Sequence, residues 1–414
     1  MNSKLKIIIG DSRKMPEVEK NTIGLVVTSP PYWNIKDYGI EEQIGYGQTL
    51  HEYLKSLYCV WKECYRVLKP GRRLCINIGD QFARSIIYGR YKVIPLHSEF
   101  IAQCEEIGFD YMGSIIWQKK TTMNTTGGAT VMGSYPYPTN GMIEIDYEFI
   151  LIFKKPGDNG KIAQDIKEKS VITKEEWKEY FNGHWYFGGA RQIEHEAMFP
   201  DELPKRLIKM FTFIGDTVLD PFLGSGTTAK VALELNRNSI GYEINEKFLP
   251  IIKKKIGFED IFLNYSNQIE ITKRSHKIEI EENNYIPRIK DAEPKIEPKK
   301  LNFKNGGLYR VVEIIDSSTI KLNTGLIVKL LGVRINNEES AIDYLKEYVL
   351  RKDVFLKFDS YVSIDKDTVE AYVYLKNKIF INSYLIKSGL ATADRLKQYE
   401  YKDKFIEIES GVLI

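Results

Sequence analysis

The sequence predicts an α/β chain: a mostly parallel sheet flanked by helices, followed by a smaller β-barrel. Three observations predict it. Residues 26–29 are a β-branched run stopped by Pro30 and Pro31, which cannot donate to a ladder, so a buried strand ends in a rigid corner there. Residues 218–228 read as a strand, a glycine-rich turn and a helix start, with a second strand reaching Glu243 twenty-three residues after Asp220. Periodicity fades over 259–305, and residues 306–414 then carry short strands around a helix.

The first strand spans 5–11 and ends in Gly10-Asp11. His51 to Leu68 places Tyr53, Leu54, Leu57, Val60, Trp61, Cys64 and Leu68 at helical spacing, and Lys69-Pro70-Gly71 ends that helix. Trp61 falls on the core face. Residues 73–80 form a strand that carries Asn77 and Asp80 to the carboxyl edge of the sheet. A helix over 93–107, strands at 111–117 and 145–154, and helices at 174–180 and 201–211 complete the alternation. Between Gln118 and Glu144 the period disappears and Gly, Pro, Tyr and hydroxyl residues dominate, which marks an inserted loop of functional type.

Open α/β sheets bind ligands at their carboxyl edge. The corner at 29–33 offers there a hydroxyl (Ser29), two proline carbonyls and two aromatic rings (Tyr32 and Trp33). Those parts suit a planar heterocycle bearing an amino group, since oxygens accept from the amine while a ring stacks on the base. Alone, Ser-Pro-Pro-Tyr is more often a polyproline turn. The second stretch tips the balance. Gly224 and Gly226 let the backbone approach a ligand closely, and Glu243 at the next strand tip is placed to accept from ribose hydroxyls.

Together the two stretches resemble the amino-methyltransferases of DNA, which methylate exocyclic amines of cytosine or adenine. The resemblance covers roughly residues 5–257 and rests on Ser29-Pro30-Pro31-Tyr32 as catalytic loop and Phe222-Leu223-Gly224-Ser225-Gly226 as cofactor loop. Because the catalytic loop comes first, the order is similar to the circularly permuted β class. It implies a Rossmann-like sheet over 1–258, S-adenosylmethionine as cofactor, double-stranded DNA as substrate and a companion restriction endonuclease as candidate partner. The serine form of the loop implies N4 of a flipped-out cytosine as target; N6 of adenine, an RNA or protein amide, and a methyltransferase fused to an active nuclease are the alternatives. By the same resemblance, Asp11, Thr28, Phe199, Pro200, Asp220, Phe222, Gly224, Ser225, Gly226, Thr227 and Glu243 contact the cofactor. For Asp11, capping of a following helix is an equal and compatible reading. Trp33, Lys119, Lys120, Tyr135 and Tyr137 contact DNA, residues 34–39 lie beside the target nucleotide, and 156–192 reads the sequence.

The last quarter of the chain resembles the staphylococcal-nuclease-like family, an OB-type barrel, through residues 312–319, 329–333, 371–374 and 381–391. The acidic and basic groups such nucleases need are replaced. Ser318 and Arg334 stand at the two metal aspartates, Lys329 and Thr368 at the two arginines, and Asn337 near the glutamate. A cation at a metal-ligand position repels calcium, so the resemblance implies a barrel without cleavage.

Composition narrows the class without selecting it. Of 414 residues, 43% are hydrophobic and the net charge is +3, too small to establish nucleic-acid binding. No run of eighteen apolar residues and no leader pattern is present, so a cytoplasmic location is expected. Cys59, Cys64, Cys75 and Cys104 lack metal-ligand spacing and read as reduced core residues, with no metal expected.

Overall fold

In the computed structural model, the residues described are 3–40, 42–83, 92–119, 136, 138–189, 199–258, 268–274, 279–280, 282–290, 296, 300–301, 307–359, 364–365 and 368–411. The chain divides into two compact units. The first holds most of residues 1–289 and the second most of 290–414.

The first unit is built on a nine-stranded sheet. Its strands are β1 (Lys4–Ile9), β2 (Ile23–Thr28), β3 (Leu68–Ile78), β4 (Asp110–Gln118), β5 (Tyr147–Lys154), β6 (His184–Trp185), β7 (Thr217–Asp220), β8 (Asn238–Glu243) and β9 (Gln268–Lys273). In space they run β9-β1-β8-β7-β2-β3-β5-β4-β6. All pairs are parallel except those β5 makes with β3 and β4. Every residue of β2 is buried, as expected for a central strand covered on both faces.

The helices are α1 (Leu50–Val67), α2 (Leu96–Ile107), α3 (Gln164–Lys169), α4 (Lys174–Tyr180), α5 (Glu202–Phe211), α6 (Thr227–Glu234) and α7 (Leu249–Lys255). Leu203, Leu207 and Ile208 of α5 bury against Leu25, Val27, Cys75 and Val218 of the sheet. Ile252 of α7 and Ala229 of α6 bury against Leu5, Ile7 and Ile9. Trp61 of α1 is fully buried, edge-on to Phe100 of α2, and its indole N–H donates to Gln103 Oε1 at 3.0 Å. No helix among the described residues is long and apolar enough to cross a membrane.

Strands β2 and β7 are neighbours, with Leu25 opposite Val218 and Val26 opposite Leu219. From β2 the next parallel strand, β3, lies on one side; from β7 the next, β8, lies on the other. Connections that leave in opposite directions open a crevice at the carboxyl ends of that strand pair. The proline corner and the glycine-rich turn both emerge there.

One sequence expectation is corrected here. The linker expected over 259–305 is structured in part, because β9 pairs in parallel with β1 from Lys4 opposite Gln268 to Ile9 opposite Lys273. Further along, Glu99 of α2 accepts from Tyr285 Oη at 2.5 Å and from the backbone N–H groups of Arg288 and Ile289 at 3.0 and 3.1 Å, which pins 285–289 to this unit. Boundaries elsewhere shift by a few residues. Strand β3 starts at Leu68 and passes Lys69–Gly71 through a register shift, and Asp80 lies beyond its end.

The second unit contains β10 (Tyr309–Asp316), β11 (Thr319–Leu322), β12 (Ile327–Leu330), β13 (Val333–Ile335), α8 (Glu338–Tyr348), β14 (Asp353–Lys357), β15 (Ile364–Asp365), β16 (Thr368–Leu375), α9 (Ile381–Lys387), β17 (Ala391–Ala393) and α10 (Lys402–Glu409). Strand order is β12-β11-β10-β14-β16-β15. A parallel pairing of β12 with β16 joins the two sides, so five strands form a closed ring. Closure removes the exposed sheet edges.

Candidate active site

A cavity at the switch point is lined on one side by Ser29, Pro30, Pro31 and Tyr32, and on the other by Pro221, Phe222, Gly224 and Glu243. Gly10, Asp11 and Ser12 after β1 also line it. Tyr38, Gln43 and Phe248 line it as well, with the Tyr38 and Phe248 rings edge-to-face at 5.9 Å.

A buried carboxylate ties the two walls together. Asp220 accepts from Thr28 Oγ1 at 2.8 Å, from Thr228 Oγ1 at 2.7 Å and from the Phe222 N–H at 3.0 Å. Burial raises its pKa to about 6 against the lowering effect of these donors. Asp220 and Thr28 are thus a clamp between motifs 192 positions apart, and neither lines the cavity, which departs from the cofactor contacts expected of them.

Glu243 does line the cavity. Its Oε2 accepts from the Gly224 N–H at 2.9 Å and its Oε1 from the Asn245 N–H at 2.8 Å, so the carboxylate shapes the glycine-rich turn. Burial pushes its pKa up to about 7, with Asp220 adding to the rise and the N–H donors opposing it. Each oxygen keeps a second lone pair for a ligand hydroxyl. Gly224 has φ +55°, and a Cβ placed on it meets only the Phe222 carbonyl oxygen, at 3.9 Å. A larger side chain there has the cavity as its free space.

Ser225, Gly226 and Thr227 stand apart from the cavity lining. Lys255 Nζ donates to Ser225 Oγ at 3.0 Å and to Thr227 Oγ1 at 2.6 Å, which anchors the turn to α7. Phe199 packs on the core that α5 covers, the Pro200 carbonyl accepts from the Leu203 N–H, and neither is among the residues that line the cavity. Asp11 lines the cavity, held by a 2.6 Å ion pair with Arg13 and by the Arg13 N–H at 2.8 Å. No helix follows Asp11, so the capping alternative fails and an Asx turn takes its place.

In the proline corner, the Pro31 carbonyl accepts from Tyr53 Oη at 2.9 Å. The Pro30 carbonyl and the Ser29 hydroxyl have no protein partner among the described residues. Trp33 is 4% exposed; its backbone exchanges hydrogen bonds with the Gln81 side chain at 3.2 and 3.1 Å. It is a core residue, and the expected contact with DNA is corrected accordingly. Tyr38, in the 34–39 segment, accepts at its carbonyl from Asn245 Nδ2 at 3.2 Å and lines the cavity.

Tyr32 is fixed by Glu148, which the sequence reading missed. Tyr32 Oη donates to Glu148 Oε1 at 2.8 Å and accepts from the Gly79 N–H at 2.9 Å. Glu148 Oε2 accepts from Asn77 Nδ2 at 2.7 Å, and Lys119 Nζ bonds Oε1. Since a carboxylate only accepts, the Asn77 amide must turn its nitrogen toward Glu148, and its buried Oδ1 is left without a donor. Burial, with the Glu148 charge second, holds the Tyr32 phenol far above its ordinary pKa, so it stays a donor. Lys119 lies 5.0 Å from the Trp117 ring and is bonded to Glu148, where a contact with DNA was expected. Lys120, Tyr135 and Tyr137 lie outside the described residues. Among the described residues no cluster of His, Cys, Asp or Glu suits a metal ion.

A mostly parallel sheet that brings a glycine turn, a buried acid and a proline corner to one crevice at its carboxyl edge is the arrangement of an α/β ligand-binding enzyme. The DNA methylase model of N6 and N4 amino-methyltransferases matches residues 23–254. The chain belongs to that family and uses S-adenosylmethionine as methyl donor. It is 41% identical to the type II methyltransferase M.MjaI of Methanocaldococcus jannaschii over 298 residues, 65% of this chain and 96% of the relative. Identity to the type II methyltransferase M.MthZI of Methanothermobacter thermautotrophicus is 33%, over 67% of this chain and 83% of that one. Among solved structures, the putative DNA modification methylase TTHA0409 of Thermus thermophilus, complexed with S-adenosyl-L-methionine, superposes with a TM-score of 0.52 and 33% identity. That match spans 66% of this chain and 99% of the other.

Proposed function

We propose that this DNA methyltransferase moves the methyl group to N4 of a cytosine turned out of the duplex, as the modifying half of a restriction-modification pair with a companion endonuclease. The observation that carries the reading is the pair of unpartnered acceptors, Ser29 Oγ and the Pro30 carbonyl, on the cavity wall opposite Gly224 and Glu243.

The residues fit the cofactor. Gly224 leaves the cavity free of a side chain, Glu243 offers lone pairs to two hydroxyls, and Tyr38 and Phe248 give an apolar end for a purine ring. When bound, S-adenosylmethionine supplies an activated methyl on a sulfonium centre. An amine inside a stacked pair cannot reach that cavity, so the base must leave the helix. Tyr32 stacks on the base. Ser29 Oγ and the Pro30 carbonyl accept the two amine hydrogens, which draws the nitrogen lone pair out of conjugation and aims it into the cavity. Proximity and alignment supply most of the acceleration.

Residues 156–192 are proposed to read the target sequence; α3, α4 and β6 lie within them. The second unit is proposed as an OB-type, nuclease-like barrel over about 306–414 that has lost cleavage. Its ring closure and the cation Arg334 at a metal-ligand position support that.

Nucleoside mass spectrometry tests the target. Duplex DNA treated with the enzyme and labelled cofactor is digested, and label is expected on N4-methyldeoxycytidine. Label on N6-methyldeoxyadenosine would replace cytosine by adenine, and label on RNA or protein alone would end the DNA reading.

A further inference from the structure

We propose that Glu148 is a positioning residue for methyl transfer, acting through Tyr32; the inference rests on the functional reading above. Tyr32 is the ring that meets the base, and ring placement decides whether the amine reaches the methyl group. Its hydroxyl is held at both ends, donating to Glu148 Oε1 at 2.8 Å and accepting from the Gly79 N–H at 2.9 Å. The fit leaves no slack. A Cβ added at Gly79 would lie 3.1 Å from Tyr32 Oη and 3.1 Å from Glu148 Cγ.

Glu148 is itself immobilised. It sits on the central antiparallel strand β5, opposite Trp117 of β4, is 8% exposed, and spends its other bonds on Asn77 Nδ2 and Lys119 Nζ. Asn77 is the residue of β3 that follows Ile76, the partner of Thr28, so it lies level with Ser29 at the sheet edge. The carboxylate therefore joins Lys119, just past the end of β4, the strand carrying Asn77 and the proline corner. A buried acid in an otherwise apolar strand needs partners. Here every partner belongs to the wall behind the catalytic ring. Hydrogen bonds to a buried charge are strong and geometrically demanding, which suits a clamp on a ring.

The test is a mutant cycle on the full-length enzyme, read by single-turnover methylation of duplex DNA, with cofactor affinity by calorimetry and a thermal melt of each variant. Glu148→Ala is expected to slow transfer roughly 10- to 100-fold with cofactor affinity within about twofold of the parent. Tyr32→Phe is expected to lose a similar factor. The double variant is expected to be no slower than the worse single one, since both remove the same bond. Glu148→Gln is expected to recover to within about fivefold, because its amide oxygen still accepts from Tyr32 while a flip of the Asn77 amide turns Oδ1, now without a donor, toward the new nitrogen. Should Glu148→Ala not fold, Glu148→Gln and Tyr32→Phe complete the comparison. Losses that multiply in the double variant, an unaffected Glu148→Ala, or a Glu148→Gln as slow as Glu148→Ala overturn the proposal. A parent enzyme that methylates no DNA overturns the functional reading instead.

Discussion

Lowering the pH should weaken cofactor binding through one side chain, Glu243. Its pKa is raised from 4.5 to about 7 by burial at the cavity wall. If ribose hydroxyls donate to it, binding favours the ionised form and must release the proton that the free enzyme holds near neutrality. With a free-enzyme pKa of about 7, roughly nine tenths of the protein is competent near pH 8 and roughly one tenth near pH 6, so the apparent affinity should fall roughly tenfold between them. Calorimetry at fixed ionic strength measures this directly. Near pH 7, the heat in buffers of different ionisation enthalpy should report release of about half a proton. The cofactor's own α-amino group titrates close to this range, with a reference value of about 8, so the same series on Glu243→Gln isolates the enzyme's share. Glutamine can accept from only one of the Gly224 and Asn245 N–H groups. That variant should bind more weakly, by roughly 10- to 100-fold, without the steep dependence. Equal slopes for parent and variant, or an affinity flat from about pH 8 to about pH 6, would refute the assignment of Glu243 to the ribose.

The same shift acts on the ligand-free protein with the opposite sense. A carboxyl bound more tightly to its proton in the folded chain makes stability fall as pH rises from about 4.5 to about 7, by about 3 kcal/mol from Glu243, and chemical denaturation of Glu243→Gln should show a flatter profile. Gly224→Val should abolish detectable cofactor binding by calorimetry, since the new side chain occupies the cavity, while the positive φ costs about 1–2 kcal/mol in a denaturant melt. A chain ending at residue 258, the sequence-expected boundary, should be less stable by several kcal/mol than one ending at 290, or insoluble, because it lacks β9 and the segment bound by Glu99; matching melts would show those contacts to be dispensable.

The crevice was legible because its signals are local. Two prolines must end β2, and Gly224 at positive φ must make a turn, so each motif announces its own backbone. That the strands bearing them are neighbours followed from alternating strands and helices. What escaped was of another kind. Glu148 is a single acid in the apolar run 147–153, joined to Tyr32 across 116 positions, and only its incongruity in a buried strand could have flagged it. The alternation of Gln268, Ile269, Glu270, Ile271 and Thr272 was present for β9, but its polar half was read as linker, since a sheet edge exposes one face. Trp33 was read by its aromatic type. Its depth is set by the Gln81 side chain, which sequence spacing does not reveal. Thr28, Asp220, Ser225 and Thr227 were recognised as motif positions but turn out to be bolts of the frame, because short hydroxyl and carboxyl groups at strand ends satisfy backbone and one another first.

Cofactor occupancy and methyl transfer measured together on Ser29→Ala probe the division of labour across the crevice. A hydroxyl that touches only the base predicts occupancy within about twofold of the parent and single-turnover transfer slower by at least roughly 100-fold. Occupancy and rate declining in step, or a rate that does not change, would contradict an account in which one wall holds the donor and the other presents the amine.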